Sequence, residues 1–308
     1  MTNVLVLGGY GAVGHRVGMQ LRSGGDTAVS AGRDPTRADR VVDLNEFGLA
    51  SYRASLRDMD VVVNAAGVED PRLALLAGEH GLAFIDITAS IAYITELESL
   101  DPPRPVLVSV GLAPGLTNLL AADLHAATPG PLELAVLLGA GEQHGAAATD
   151  WSFRLLGSHF RDHDRTIRNY TQPQVFDLPG YGRRRLYRVD FSDQHTLTRD
   201  LGVHVRTYLG LDSRLATAAM AALTWLPGAS RAPRGLHLPG EENWLILARS
   251  SKGAVRWARG RNQSHATAVI TAIATRHASQ LPGGIHHLHH VLTLGDVPAD
   301  HIIEFGAD

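Results

Sequence analysis

The sequence predicts an α/β protein with a doubly wound parallel sheet, followed along the chain by a second, mixed α/β domain. Three observations carry this. The apolar run Val4-Leu5-Val6-Leu7 leads straight into Gly9-Tyr10-Gly11-Ala12-Val13-Gly14 and an apolar stretch reaching Leu21. Continuous apolar runs then alternate with helical stretches through the first third of the chain, the pattern of strands buried on both faces. After Gly115 that rhythm stops and His, Arg, Asp and aromatic residues become frequent.

Taken in order, Val4 to Leu7 is the first strand and Val13 to Arg22 the first helix. Thr27 to Ser30 is the second strand, Arg40 to Leu44 a short third, and Phe47 to Leu56 a helix. Asp60 to Ala65 is the fourth strand, ending in Ala66-Gly67. Pro71 to His80 is a helix with proline near its start, where a missing N–H is tolerated. Phe84 to Thr88 and Pro105 to Val110 are strands five and six. Beyond Gly115, Leu116 to Ala126 reads as a helix, stopped by Thr128-Pro129-Gly130-Pro131, and Leu132 to Gly139 as a strand. Leu211 to Leu226 reads as a core helix, Asn243 to Arg249 with Ala254 to Arg259 as a hairpin, and Ala266 to His277 as a last helix. The expected domains are 1–115, 116–278, and a segment 279–308 that returns to the first.

The N-terminal glycine turn is a physical anion trap. Its first glycine permits the tight turn, the second admits a pyrophosphate to the backbone, and the third lets helix and strand pack closely. The helix start adds unpaired N–H groups and a positive dipole. Gly8, Gly9, Tyr10, Gly11, Ala12, Val13 and Gly14 are therefore candidate cofactor-binding residues of a Rossmann dinucleotide fold. An NAD-type site usually carries Asp or Glu at the tip of the second strand, to bond the ribose. Here that region reads Ser30-Ala31-Gly32-Arg33-Asp34. Arg33, joined by Arg37, suits a 2′-phosphate, so the expected cofactor is NADP. The competing reading makes Arg33 a solvated cation and turns Asp34 toward the ribose.

Composition bounds the function. The chain has 308 residues, a formal net charge of −3 and no cysteine. Thiol catalysis and cysteine-based zinc sites are excluded, and a nucleic-acid surface is not expected without a basic stripe. Lys252 is the only lysine among 28 Lys and Arg residues, and it sits in a hairpin turn, so Schiff-base chemistry is not expected. No apolar stretch reaches membrane-spanning length and only three residues precede the first strand, so the expectation is a cytoplasmic protein without membrane partners.

Several motifs coincide with one family. They are Val4 to Gly14 with its doubled Gly8-Gly9, the strand Asp60 to Gly67, the aspartate strand Phe84 to Thr88, and the junction Gly111-Leu112-Ala113-Pro114-Gly115-Leu116-Thr117-Asn118. With them the chain resembles the saccharopine dehydrogenase-like reductases over residues 1–120 and 240–295, and only faintly over 140–235. The resemblance implies C=N reduction or the reverse amine oxidation, a role for Asp86 at the cofactor edge, and a homodimer formed through the second domain.

Other candidates follow from position. Asn64, Ala65, Ala66 and Gly67 end a parallel strand at its carboxyl edge, where ligands lie, and the small side chains leave room for a nicotinamide ribose. Asp43 ends the third strand, on the adenine side. Pro114, Gly115 and Asn118 open the helix leaving the first domain and read either as a clamp for a substrate carboxylate or cofactor amide, or as a hinge. His144, Asp150 and Trp151 follow the first strand of the second domain. With Tyr170, His144 and Asp150 are candidate proton donors, and Trp151 a candidate substrate contact. His286-His287-Leu288-His289-His290 would put His286 and His290 on one helix face, but without a matching carboxylate motif no metal is expected. The expected function is an NADP-dependent reductase acting on a C=N or C=O bond of a small to medium organic substrate, in biosynthesis. The alternatives are an enzyme using tightly held nucleotide without net redox change, and a non-catalytic nucleotide sensor.

Overall fold

The computed structural model describes residues 1–141, 152–229, 241–299 and 302–307. They form two compact units: Met1–Leu116 with Ser264–Val297, and Thr117–Gln263 with Pro298–Asp308.

Unit 1 is built on a seven-stranded parallel sheet. Its strands are β1 (Asn3–Leu7), β2 (Thr27–Gly32), β3 (Arg40–Val41), β4 (Val61–Asn64), β5 (Ala83–Asp86), β6 (Pro105–Val108) and β15 (Gly284–His287), in the order β15-β6-β5-β4-β1-β2-β3. Helices α1 (Ala12–Ser23), α2 (Ala50–Ser55), α3 (Pro71–Glu79), α4 (Ile91–Glu98), α8 (Gln263–Ala278) and the short α9 (Leu288–Val291) supply the rest. The strand order reverses at β1, which pairs with both β2 and β4. That is the switch point at which such sheets bind ligands. Val4 to Leu7, Val61 to Val63 and Phe84 to Ile85 are all buried, as the continuous apolar runs require.

Four local readings change. The helix expected from Phe47 breaks, because Gly48 (φ 77°) and Leu49 (φ 54°) are left-handed and α2 starts only at Ala50. The third strand keeps only Arg40–Val41. Helix α4 lies outside the elements expected from the sequence, although Tyr93, Ile94 and Leu97 bury one helical face and Ser90 stands at its N-cap. The helix expected from Leu211 is instead the end of β12 (Val205–Leu211) followed by α7 (Arg214–Leu223), and the Ser213 side chain caps α7 through the Ala216 N–H.

Unit 2 holds a mixed seven-stranded sheet in the order β10-β11-β12-β7-β13-β14-β16. Its strands are β7 (Leu132–Leu138), β10 (Thr171–Leu178), β11 (Gly182–Arg188), β12, β13 (Asn243–Ser250), β14 (Val255–Arg261) and β16 (Ile303–Ala307). The pair β12–β7 is parallel and the others antiparallel. A separate ribbon joins β8 (His159–Asp162) to β9 (Arg165–Arg168), and α5 (Thr117–Ala127) and α6 (Ser192–Leu201) pack in the same unit. The units therefore divide differently from the expected 116–278 and 279–308. Helix α8 from Ser264 onward goes with unit 1, because β15 extends the parallel sheet beside β6. The final residues go with unit 2, because β16 pairs with β14. Among the described residues no helix is long and apolar enough to cross a membrane.

Phe84 lies fully buried in the unit 1 core. Phe84→Ala is expected to cost about 3–5 kcal/mol, read as a lowered urea midpoint.

Candidate functional site

The site begins with backbone geometry. Both Gly8 and Gly9 donate their N–H to the Ala31 carbonyl, at 2.9 and 3.2 Å, which ties the turn after β1 to the end of β2. Gly8 has φ +69°, and a Cβ there would lie 2.8 Å from the Ala65 carbonyl oxygen. A Cβ on Gly14 would lie 2.3 Å from the Gly8 carbonyl oxygen, so α1 approaches the turn as closely as a side-chain-free backbone allows. Gly11 is the N-cap of α1, which has no side-chain cap and no acidic residue in its first turn. The helix start thus keeps its positive end for an anion.

The tip of β2 is arranged around Tyr10. The Tyr10 ring lies on Gly32, where a Cβ would come within 2.4 Å of it, and its hydroxyl accepts the Asp34 N–H at 3.2 Å. The Arg37 guanidinium stacks 4.4 Å above the ring centroid and donates to the Tyr10 carbonyl at 3.1 Å. Arg33 and Arg37 are both exposed, and Arg33 has no protein partner among the described residues. The Asp34 carboxylate is committed elsewhere. It accepts from the Thr36 hydroxyl at 2.7 Å and the Thr36 N–H at 2.9 Å, and these bonds hold its carboxyl below the usual range. Asp39, which the sequence reading missed, accepts the Ser30 N–H at 2.8 Å. A cleft between α1 and β2 is lined by residues that include Gly9, Tyr10, Gly14, His15, Ser30, Arg37 and Asp39. Ser30 Oγ is buried in its wall without a hydrogen-bond partner.

The register places Leu7 beside Asn64 and Asn64 beside Asp86, so three strand ends share the carboxyl edge. Asn64 is buried and spends its amide on its surroundings. Its Nδ2 donates to Asp86 Oδ2 at 2.7 Å and to the Val68 carbonyl at 2.9 Å, and its Oδ1 accepts the Ala66 N–H at 3.3 Å. Asp86 also accepts from the Thr88 N–H at 2.7 Å and the Tyr93 hydroxyl at 3.2 Å. Burial pushes the Asp86 carboxyl up, against the opposing pull of those bonds. Asn64 and Asp86 thus shape the loops after β4 and β5, where Ala65 is partly exposed, Ala66 packs against the core and Gly67 is exposed. Asp43 is exposed and caps the Asn45 N–H at 3.0 Å.

Pro114 and Gly115 do not open a helix. Ala113, Pro114 and Gly115 have non-helical dihedrals, with φ +136° at Gly115, and α5 starts at Thr117. Pro114 and Gly115 belong to unit 1, whereas the buried Asn118 belongs to unit 2. Tyr170 is buried in unit 2 at φ +59° and donates its hydroxyl to the Ser152 carbonyl at 3.1 Å. Burial raises its phenol above the usual range. His144, Asp150 and Trp151 lie outside the described residues. The histidine tract is not one helix face, because His286 and His287 end β15 and only the residues after them enter α9. In unit 2, Asp162, His163 and His204 bring potential metal donors within 4.8 Å of one another. The Asp162 oxygens already bond His204 Nε2 at 2.7 Å and the Arg188 guanidinium at 3.0 Å, and that buried cation opposes a second one.

No family model matches the chain, and no curated protein matches it. Solved structures do. A saccharopine dehydrogenase (L-Glu forming) from Saccharomyces cerevisiae is 13% identical with a TM-score of 0.59, the match covering 94% of each chain. A meso-DAP dehydrogenase variant from Clostridium tetani E88, solved with DAP, is 12% identical with a TM-score of 0.51 over 97% of each chain. The chain has a saccharopine dehydrogenase-like fold.

The Gly14 contact makes a stability prediction. Gly14→Ala meets unyielding backbone and is expected to cost about 1–3 kcal/mol. Gly18→Ala, whose Cβ would meet the Arg22 guanidinium at 3.3 Å and Ala28 Cβ at 3.9 Å but no backbone, is expected to leave the denaturation midpoint nearly unchanged.

Proposed function

We propose that this protein is an oxidoreductase that uses NADP(H) to reduce, or in reverse to form, a C=N or C=O bond of a small to medium organic molecule. One observation carries the reading: an uncapped helix start behind a glycine turn at the sheet's switch point, with Arg33 and Arg37 exposed beside the tip of β2. The names of the similar folds, a saccharopine dehydrogenase and a meso-DAP dehydrogenase, support the oxidoreductase part of it.

The residues present fit such a cofactor. The close approach of Gly14 to Gly8 leaves a backbone cradle at the turn, and the orphaned Ser30 Oγ offers a donor in the cleft wall. The α1 amides after Gly11 would hold the pyrophosphate. Arg33 and Arg37 would hold the 2′-phosphate, Arg37 already oriented by the Tyr10 ring. Asp34, which would favour a bare ribose, is spent on Thr36. Ala65, Ala66 and Gly67 would border the nicotinamide side without filling it. When bound, the cofactor supplies or accepts the hydride. His144 is the proposed proton donor, since a histidine changes charge near neutral pH.

NADPH is expected to be consumed with at least one substrate of an imine, enone and ketone panel, with a lower KM than NADH. Removing a charge-assisted contact costs about 1.5–3 kcal/mol, so Arg33→Ala is expected to raise the KM for NADPH at least tenfold and leave that for NADH nearly unchanged. An equal or lower wild-type KM for NADH would defeat the assignment. His144→Gln is expected to lower kcat and flatten its pH profile, and full activity across pH would remove His144 from the mechanism.

A further inference from the structure

Three side chains from separate elements meet at the carboxyl end of β6. Ser109 directly follows the strand, His287 is the last residue of β15 and Glu98 the last of α4. Ser109 Oγ lies 3.1 Å from His287 Nδ1, and His287 Nε2 lies 2.7 Å from Glu98 Oε1. Ser109 and His287 are buried, and Glu98 is mostly so. A carboxylate only accepts, so the neutral imidazole carries its hydrogen on Nε2. Nδ1 then accepts from the Ser109 hydroxyl. The Nε2–H donates to Glu98 in either charge state of the ring, and Nδ1 accepts from Ser109 when the ring is neutral.

The serine held this way is strained. Ser109 has φ +58°, a left-handed conformation that a non-glycine residue keeps only when its surroundings over-determine it. That conformation turns the chain out of β6 into Val110-Gly111-Leu112. The new direction is fixed again a few residues on, where the Leu112 N–H donates to Thr267 Oγ1 at 3.3 Å and the Leu116 N–H to the Gly111 carbonyl at 2.8 Å. The serine is fully buried, so it is not offered as a nucleophile. Its partners hold the shape of a turn.

We propose that His287 is a positioning residue, which through Ser109 and Glu98 sets the β6 turn as the border of the nicotinamide half of the cofactor. This rests on the proposed NADP reading. The strand order supplies the location. If the adenosine phosphate lies at β2 and the pyrophosphate at α1, the remaining half falls on the β4-β5-β6 side of the switch point.

Binding of two ligands separates the outcomes: NADPH, and 2′-phospho-ADP-ribose, which lacks the nicotinamide. Ser109→Ala keeps the strain but loses the bond. It and His287→Gln are expected to raise the Kd for NADPH about tenfold and to leave the fragment's Kd unchanged. Glu98→Gln still offers an oxygen to the His287 N–H and is expected to stay near wild type. Ser109→Gly adopts φ +58° without strain. It is expected to recover most of the NADPH affinity lost in Ser109→Ala, and it keeps the test available if the alanine variant does not fold. Equal losses for both ligands, no loss for either, or Ser109→Gly as impaired as Ser109→Ala would overturn the inference. Wild-type protein that binds neither ligand would overturn the cofactor reading and this inference with it. Wild-type binding combined with one of the other adverse results would overturn this inference alone.

Discussion

The approach of α1 to the turn after β1 is the constraint on which unit 1 depends. Gly14 lies against the Gly8 carbonyl, Gly8 against Ala65, and Gly9 against Ser30. These are contacts of backbone with backbone or with a small side chain, so no side-chain rotation can relieve an added Cβ. The same closeness joins the ends of β1, β2 and β4 at one level of the sheet and brings the start of α1 to them. A helix start without a cap leaves orphan amides, and here they lie where the strand order reverses.

Polar side chains then stiffen what the glycines bring together. Tyr10 links the turn to the β2 tip by lying on Gly32, accepting from Asp34 and stacking under Arg37. Asn64 and Asp86 close the loops after β4 and β5 upon each other. Ser109, His287 and Glu98 do the same for β6, β15 and α4. The last two networks consist of buried or mostly buried groups with complementary donors and acceptors. Losing one partner strands the others in a medium that cannot replace it. The carboxyl edge of unit 1 is therefore held in one arrangement by side chains that face inward.

Unit 2 follows other rules. Its strands are mostly antiparallel, and the second halves of β10 and β11 alternate buried with more exposed positions, where β1, β4, β5 and β6 of unit 1 are buried almost throughout. Arg188 shows how this sheet tolerates charge in its interior. It is buried, but its guanidinium bonds Asp162 at 3.0 Å and Gln194 Oε1 at 2.9 Å and lies beside the Phe160 and Tyr208 rings. A sequence rich in Arg, His and Asp over this region thus reflects paired charges within a sheet as well as surface.

The sequence by itself determined the parallel sheet, the glycine turn and the first helix, because strand burial and the Gly9-Tyr10-Gly11-Ala12-Val13-Gly14 spacing are local signals that tertiary structure has little freedom to override. It also placed Arg33 at the end of β2, since that position follows from the strand alone. Only the tertiary structure decided what long-range partners settle. Asn64 and Asp86 turned to each other, and α8 and β15 joined unit 1 while β16 joined unit 2. Ser109, Glu98 and His287 could not be connected beforehand, because the pairs Ser109–His287 and Glu98–His287 span 178 and 189 residues. No periodicity or motif records a hydrogen bond between a strand end, a helix end and the penultimate strand.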